Sequence, residues 1–246
     1  MSLLKTSRKY HKWLMLFLGV QFVIWSVTGA YMVFFDIDYI HGDSLIENHQ
    51  TKIDSNKIDF SLKQLLIRYP DAEKIELGIF INQEVYRFNQ EDEKFLVTAS
   101  NGKQLSPLTE SEAIAAAKHL YTGSGEVRDT ELITDNPPFE LSRRVYSSLP
   151  AWRINFDNFG SPSLYISITS GKLLAKRHEF WRLFDWMFNF HMMDYSDGEI
   201  DNWLLFWFTL FSIVAAVMGL ILTYFRVFKK ETIAAVSQDN VQGGSV

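Results

Sequence analysis

The reading of this chain turns on residues 203–227, WLLFWFTLFSIVAAVMGLILTYFRV, and on the polar collar in front of them, residues 191–202, HMMDYSDGEIDN. No residue from Trp203 to Phe225 is charged. As a helix rising about 1.5 Å per residue, that run spans about 30 Å of hydrocarbon and predicts a transmembrane segment over 203–227. The collar sets His191, Asp194, Asp197, Glu199 and Asp201 against its edge, as either a topology mark or a binding site.

A second apolar run, residues 14–35, LMLFLGVQFVIWSVTGAYMVFF, follows a basic start, so 1–12 reads as a cytoplasmic tail and 13–35 as the first span. The run is longer than the apolar core of a secretory signal, and no small-residue cleavage pattern follows it. Lys5, Arg8, Lys9 and Lys12 precede the first span, and Arg226, Lys229 and Lys230 follow the second. Asp36, Asp38, Asp43 and the collar flank the opposite ends. The excess of Lys and Arg predicts both termini on the cytoplasmic side, 36–202 outside it, and 228–246 as a cytoplasmic tail. Small residues four apart (Ser26 and Ala30, Ser212 and Ala216, Ala215 and Gly219) predict close helix packing, as a hairpin or between two copies in a homodimer. Trp13, Trp25, Trp203 and Trp207 read as interfacial anchors.

The chain has 246 residues, a net charge of -5 and no basic block, which speaks against a nucleic-acid partner. With no cysteine, it has no disulfide, thiolate metal site or covalently attached c-type haem. No zinc-protease, serine-hydrolase or phosphate-binding motif occurs, and no catalytic residue is nominated.

The middle region, 36–178, predicts a small α+β domain built twice, over about 58–106 and 107–178. Ser61 with Gln64 and Thr109 with Glu112 form capping boxes that open two helices. Strands follow each helix: Lys74–Phe80, Glu84–Phe88 and Lys94–Thr98, then Arg128–Ile133, Ala151–Asn155 and Ser163–Ser167. Superposing the copies pairs Arg87 with Arg153, Phe88 with Ile154, Phe95 with Leu164 and Val97 with Ile166. It also lays Asn101-Gly102-Lys103 on Ser170-Gly171-Lys172 and Leu105 on Leu174, the register of an internal repeat.

Residues 152–174, WRINF…G…LYISITSGKLL, resemble a PepSY domain, the module of bacterial peptidase propeptides and envelope proteins. The start of the chain is similar to the first helix of PepSY-associated transmembrane proteins, whose Arg-x-x-His-Arg/Lys-Trp and Thr/Ser-Gly positions fall on Arg8, His11, Lys12, Trp13, Thr28 and Gly29. The FHMMDY stretch and the last span resemble their closing segment. The resemblance covers nearly the whole chain except the extreme tails and an insertion at 135–149. It implies an α+β membrane protein of the bacterial inner membrane, with two transmembrane helices and a tandem PepSY-like periplasmic domain acting as a binding or accessory subunit. Its partners would be membrane lipid and an envelope protein or peptide.

Some members of the family are linked to iron and siderophore uptake, and larger ones are haem-bearing reductases. The resemblance therefore also implies a haem b electron-transfer component, part of a membrane reductase, or a protease-inhibitory module.

Of six histidines, His11 falls on the position that may ligate haem in multi-span relatives, and His191 lies in the collar. The second span contains no histidine, so any haem needs a second copy or another subunit. His41, His178 and His191 with Asp194 form the alternative set, for a divalent metal. The aromatic segment 179–202 predicts an interfacial helix ahead of the second span.

Overall fold

A computed structural model describes residues 3–47, 52–91, 93–193 and 202–242. In chain order the elements are α1 (Leu3–Phe34), α2 (Ile37–Ile40), α3 (Leu62–Arg68), β1 (Glu73–Phe80), β2 (Gln83–Gln90), β3 (Glu93–Thr98), α4 (Glu110–Leu120), β4 (Glu126–Ile133), α5 (Arg143–Tyr146), β5 (Ala151–Asp157), β6 (Ser163–Ser167), β7 (Leu173–Arg177), α6 (Glu179–Met192) and α7 (Trp203–Gln242). They form two compact units: 1–34 with 186–246, and 35–185. The protein is α+β, with antiparallel sheets between two helices long and apolar enough to cross a membrane, Arg8–Phe34 and Trp203–Val227.

In the helical unit α1 and α7 pack through Leu18, Phe208 and Ala215, with Leu14, Trp25 and Leu205 around them. Ser26 and Ala216, small residues that spacing alone offered for packing, face outward, whereas Ala215 is buried.

The second unit is built twice. Ser61 and Thr109 each accept from the N3 backbone amide of their helix while Gln64 and Glu112 reach back, so both capping boxes are made. The two sheets are antiparallel, β1-β2-β3 and β4-β5-β6-β7. Their pairings correspond: Phe88 faces Phe95 as Ile154 faces Leu164, and Tyr86 faces Val97 as Trp152 faces Ile166. Gly102 and Gly171, at φ 71 and 64, donate to Thr98 and Ser167 in equivalent turns. A left-handed conformation costs glycine nothing.

The copies differ in their last strand. β7 is a full strand, and its counterpart in the first copy is a single bridge, Val97 to Gln104. There Ser106 Oγ takes the Leu96 amide at 3.0 Å, and Pro107 next to it has no N–H to extend the ladder.

Helix α3 covers one face of the first sheet, joining Leu65 to Tyr86, Phe88 and Val97. Helix α4 covers the equivalent face of the second, joining Ala113, Ala116 and Ala117 to Ile154, Phe156, Leu164 and Ile166. The reverse face of the first sheet, with Phe80, Val85 and Leu96, is buried in that same cluster. The reverse face of the second carries Arg153, Asn155, Ser163 and Tyr165 and is covered by residues 134–149 and the start of α6.

Candidate functional site

His11 and His191 both lie in the helical unit, at two stations along α1. His11 Nδ1 is 3.1 Å from the carbonyl oxygen of Ala215. A carbonyl only accepts, so Nδ1 carries the proton, and the neutral ring keeps its lone pair on Nε2. Gly219 leaves room for the ring: a Cβ there would stand 3.1 Å from His11 Cε1. The Ala215 and Gly219 pair thus seats an imidazole as well as letting backbones approach.

His191 Nδ1 is 2.9 Å from Thr28 Oγ1. The Thr28 hydroxyl spends its one proton on the Ile24 carbonyl at 2.8 Å, so it accepts from His191. The tautomer is again Nδ1–H, and Nε2 keeps its lone pair with no hydrogen-bond partner among the described residues. Gln21 Nε2, Trp25 Nε1 and Asn202 Nδ2 donate to the carbonyls of Phe190, His191 and Met192. These carbonyls lie at the end of α6, where i→i+4 partners run out; the Phe190 carbonyl also takes the Met193 amide at 3.4 Å. Trp25, which position alone marks as an interfacial anchor, is thus a hydrogen-bonding strut; Trp13 and Trp203 are exposed, as anchors would be.

In the sheet unit, His178 is buried and its Nε2 donates to both Tyr39 O (3.0 Å) and Ile40 O (3.1 Å). Burial pushes its pKa below the usual imidazole value, although the two carbonyls favour the charged ring. His41 packs against Trp181 with the rings tilted by 41° and centroids 4.9 Å apart. Nε2 of His178 is therefore committed to backbone, and only Nδ1 has a lone pair. Asp194 lies outside the described residues. Among the described residues no three His, Asp or Glu side chains come together to hold a metal ion.

One constellation is not legible in the sequence, because it centres on the insertion at 135–149 that the family resemblance does not cover. Glu140, a buried residue within the segment 134–149, accepts from Arg182 and from the hydroxyl of Tyr165, and Arg153 stands 3.4 Å away. Arg177 Nε donates to the Glu140 carbonyl at 2.6 Å and its guanidinium lies 4.2 Å from the Trp181 ring centroid. Trp181 in turn donates to Asp185 at 3.0 Å. Burial works against the Glu140 charge, but the bonds from Arg182 and Tyr165 and the positive charges of Arg182 and Arg153 outweigh it and hold the carboxyl below its usual range. Burial, and then the Glu140 carboxylate, push the Tyr165 hydroxyl far up. Asp185 goes the other way from Glu140: burial raises it, opposed by Arg177. The sequence-level hint is polarity where a buried strand face would be apolar, Arg153, Asn155 and Ser163 sharing one face of β5 and β6.

No family model, no curated protein and no solved structure matches this chain.

Proposed function

We propose that this chain is a two-span protein of the bacterial inner membrane whose periplasmic tandem PepSY-like domain serves as a binding or accessory subunit in the envelope. The observation that carries the reading is the duplicated helix-and-sheet domain, kept in register between two apolar helices with basic outer and acidic inner flanks. Binding proceeds by strand addition. The edge strands are β1 and β3 of the first sheet and β4 and β7 of the second. The Gln104 bridge occupies part of β3, while β4 carries Glu126, Arg128, Asp129 and Glu131 and β7 carries Lys176 and Arg177, charges that block unspecific pairing. That leaves β1 as the receptive edge. A photo-crosslinking residue at Lys74 of β1, in the full chain expressed in its envelope, is expected to trap a discrete polypeptide. Absence of any adduct at β1, with adducts formed instead at β4 or nowhere, rejects this mode of binding.

A second reading is favoured by one specific feature, the matched tautomers of His11 and His191. Each is pinned at Nδ1 and offers Nε2, the arrangement in which metal-binding imidazoles are oriented by a second hydrogen bond. His11 and Thr28 are 17 positions apart on α1, or about 25 Å along it, close to the thickness of a hydrocarbon layer. Haem b would be held by His11 at one station and His191 at the other, each joined by an imidazole of a second copy. Bound there, haem supplies one-electron transfer; the protein's own part is to hold each ring and fix its tautomer. The detergent-purified protein should then show a Soret band that His11→Ala and His191→Ala each reduce by about half. A colourless preparation rejects it.

A further inference from the structure

Phe159 stands at the apex of the β5–β6 hairpin and is 81% exposed. An exposed aromatic on a loose loop would mean little, but this tip is held. The first amide of α6, Glu179 N, donates to Gly160 O at 2.7 Å, Arg182 donates to Ser161 O at 3.2 Å, and Asn158 Nδ2 donates to Tyr121 Oη at 3.0 Å. The ring continues an aromatic chain: Phe159 to Phe180 at 5.8 Å between centroids, Phe180 to Phe35 at 5.5 Å, and Phe180 to Tyr39 at 5.3 Å. Ile37 and Tyr39 beside it are also exposed.

Phe35 directly follows Phe34, the last residue of the first helix long and apolar enough to span a membrane. Chain continuity therefore places this patch at the mouth of the span, whatever the arrangement of the two units. In series the ring contacts of 5.5 and 5.8 Å carry Phe159 at most about 11 Å from Phe35, so the ring lies in the headgroup zone, about 5–8 Å deep and the place where aromatic side chains concentrate, when the row of rings runs partly along the membrane surface. An exposed, rigidly held apolar patch continuous with a lipid-facing helix calls for a lipid partner rather than water.

We propose that the β5–β6 tip docks Phe159 into the headgroup–acyl boundary of the bilayer, beside the point where the chain leaves α1. This rests on reading α1 as a membrane span. The docked tip fixes the second sheet at the membrane surface and leaves the first sheet's β1 edge to partners.

The chain has no cysteine, so single substitutions label one site each. Phe159→Cys, Val33→Cys (84% exposed, on α1) and Ile67→Cys (70% exposed, on α3) are each given a nitroxide in the full chain. The proteins are reconstituted in phosphatidylethanolamine–phosphatidylglycerol vesicles, and collision with oxygen and with a water-soluble nickel chelate is compared. The label at 33 is expected to favour oxygen and the label at 67 nickel. The label at 159 should show an oxygen-to-nickel ratio several-fold above that at 67. A label at 159 matching 67, while 33 reads lipid, overturns the docking and leaves the span intact. A label at 33 that reads water overturns both. Shielding at 159 accompanied by spin–spin broadening assigns the tip to a second copy and likewise overturns the proposal.

Discussion

Arg87 and Arg153 occupy the same place in the two copies of the sheet unit, each opposite a glutamate on the neighbouring strand, Glu76 and Glu131. Their surroundings differ. Arg87 lies among the apolar side chains behind the first sheet and gives its donors to backbone carbonyls, Ser170 O at 2.7 Å and Ile79 O at 3.0 Å. Arg153 lies behind the second sheet in a buried ionic layer around Glu140, where its Nε has no partner among the described residues. One scaffold therefore supports two kinds of interior. The apolar one closes by burying Val85 and Leu96 in the shared core, and the ionic one needs residues 134–149 and α6 to supply charges and complete it.

That contrast breaks most readily at Glu140. Only 8% of its side chain is exposed, so Glu140→Ala strands buried positive charge on Arg182 and Arg153 and removes the acceptor of Tyr165. The expected loss is about 3–5 kcal/mol, read as a fall in the urea midpoint of the full chain in detergent. Glu140 is held below its ordinary value of 4.5, so its contribution is present above that value and disappears as pH falls through the folded pKa. Glu140→Gln should flatten this acid limb. A small, pH-independent loss would mean that the ionic layer is incidental.

Next in size are the two helix-covered faces, where the copies should behave alike. Leu65 and Leu164 are both fully buried, and truncation of either to Ala is expected to cost about 2–5 kcal/mol by the same measurement. A large inequality would show that the α3 cluster is a satellite and not an equal partner of the α4 core.

The caps sharpen the comparison further. Ser61→Ala and Thr109→Ala each remove one capping box and should cost about 1 kcal/mol, equal within error.

His178, behind the second sheet, adds a dependence the first lacks. Its folded pKa lies below the ordinary 6.5, so the unfolded chain takes up the proton first. Stability is complete above 6.5 and declines as pH falls below it. Thermal midpoints measured between pH 7.5 and 5 should show this decline, and His178→Gln should remove part of it.

The smallest effect belongs to the exposed pair Glu76–Lys172, 2.6 Å apart with about half of each side chain in solvent. Glu76→Gln is expected to change stability by about 0–1 kcal/mol, and less at high salt.

Much of the domain could be read from local pattern. Ser61 with Gln64 and Thr109 with Glu112 mark helix starts because each box closes within four residues. The registers of β2 on β3 and β5 on β6 follow from alternation plus a glycine turn. Strand β7 is not legible in the sequence, because Leu173–Arg177 reads Leu-Leu-Ala-Lys-Arg, a weak alternation that gains its strand partner only from β6. The Ile81-Asn82 turn was equally illegible: both residues take positive φ, and Ile81 accepts that conformation while packing on the core.

By itself, the sequence determined two apolar helices, a duplicated helix-and-sheet unit and its strand register, since each depends on hydrogen bonds or periodicities spanning a few residues. Only the tertiary structure decided which imidazole nitrogens remain available, that Trp25 braces the end of α6, and that Glu140 gathers Arg153, Tyr165 and Arg182. Those partners lie between 13 and 204 residues apart in the chain. Their energies come from burial and pairing across that separation, which a one-dimensional pattern does not record.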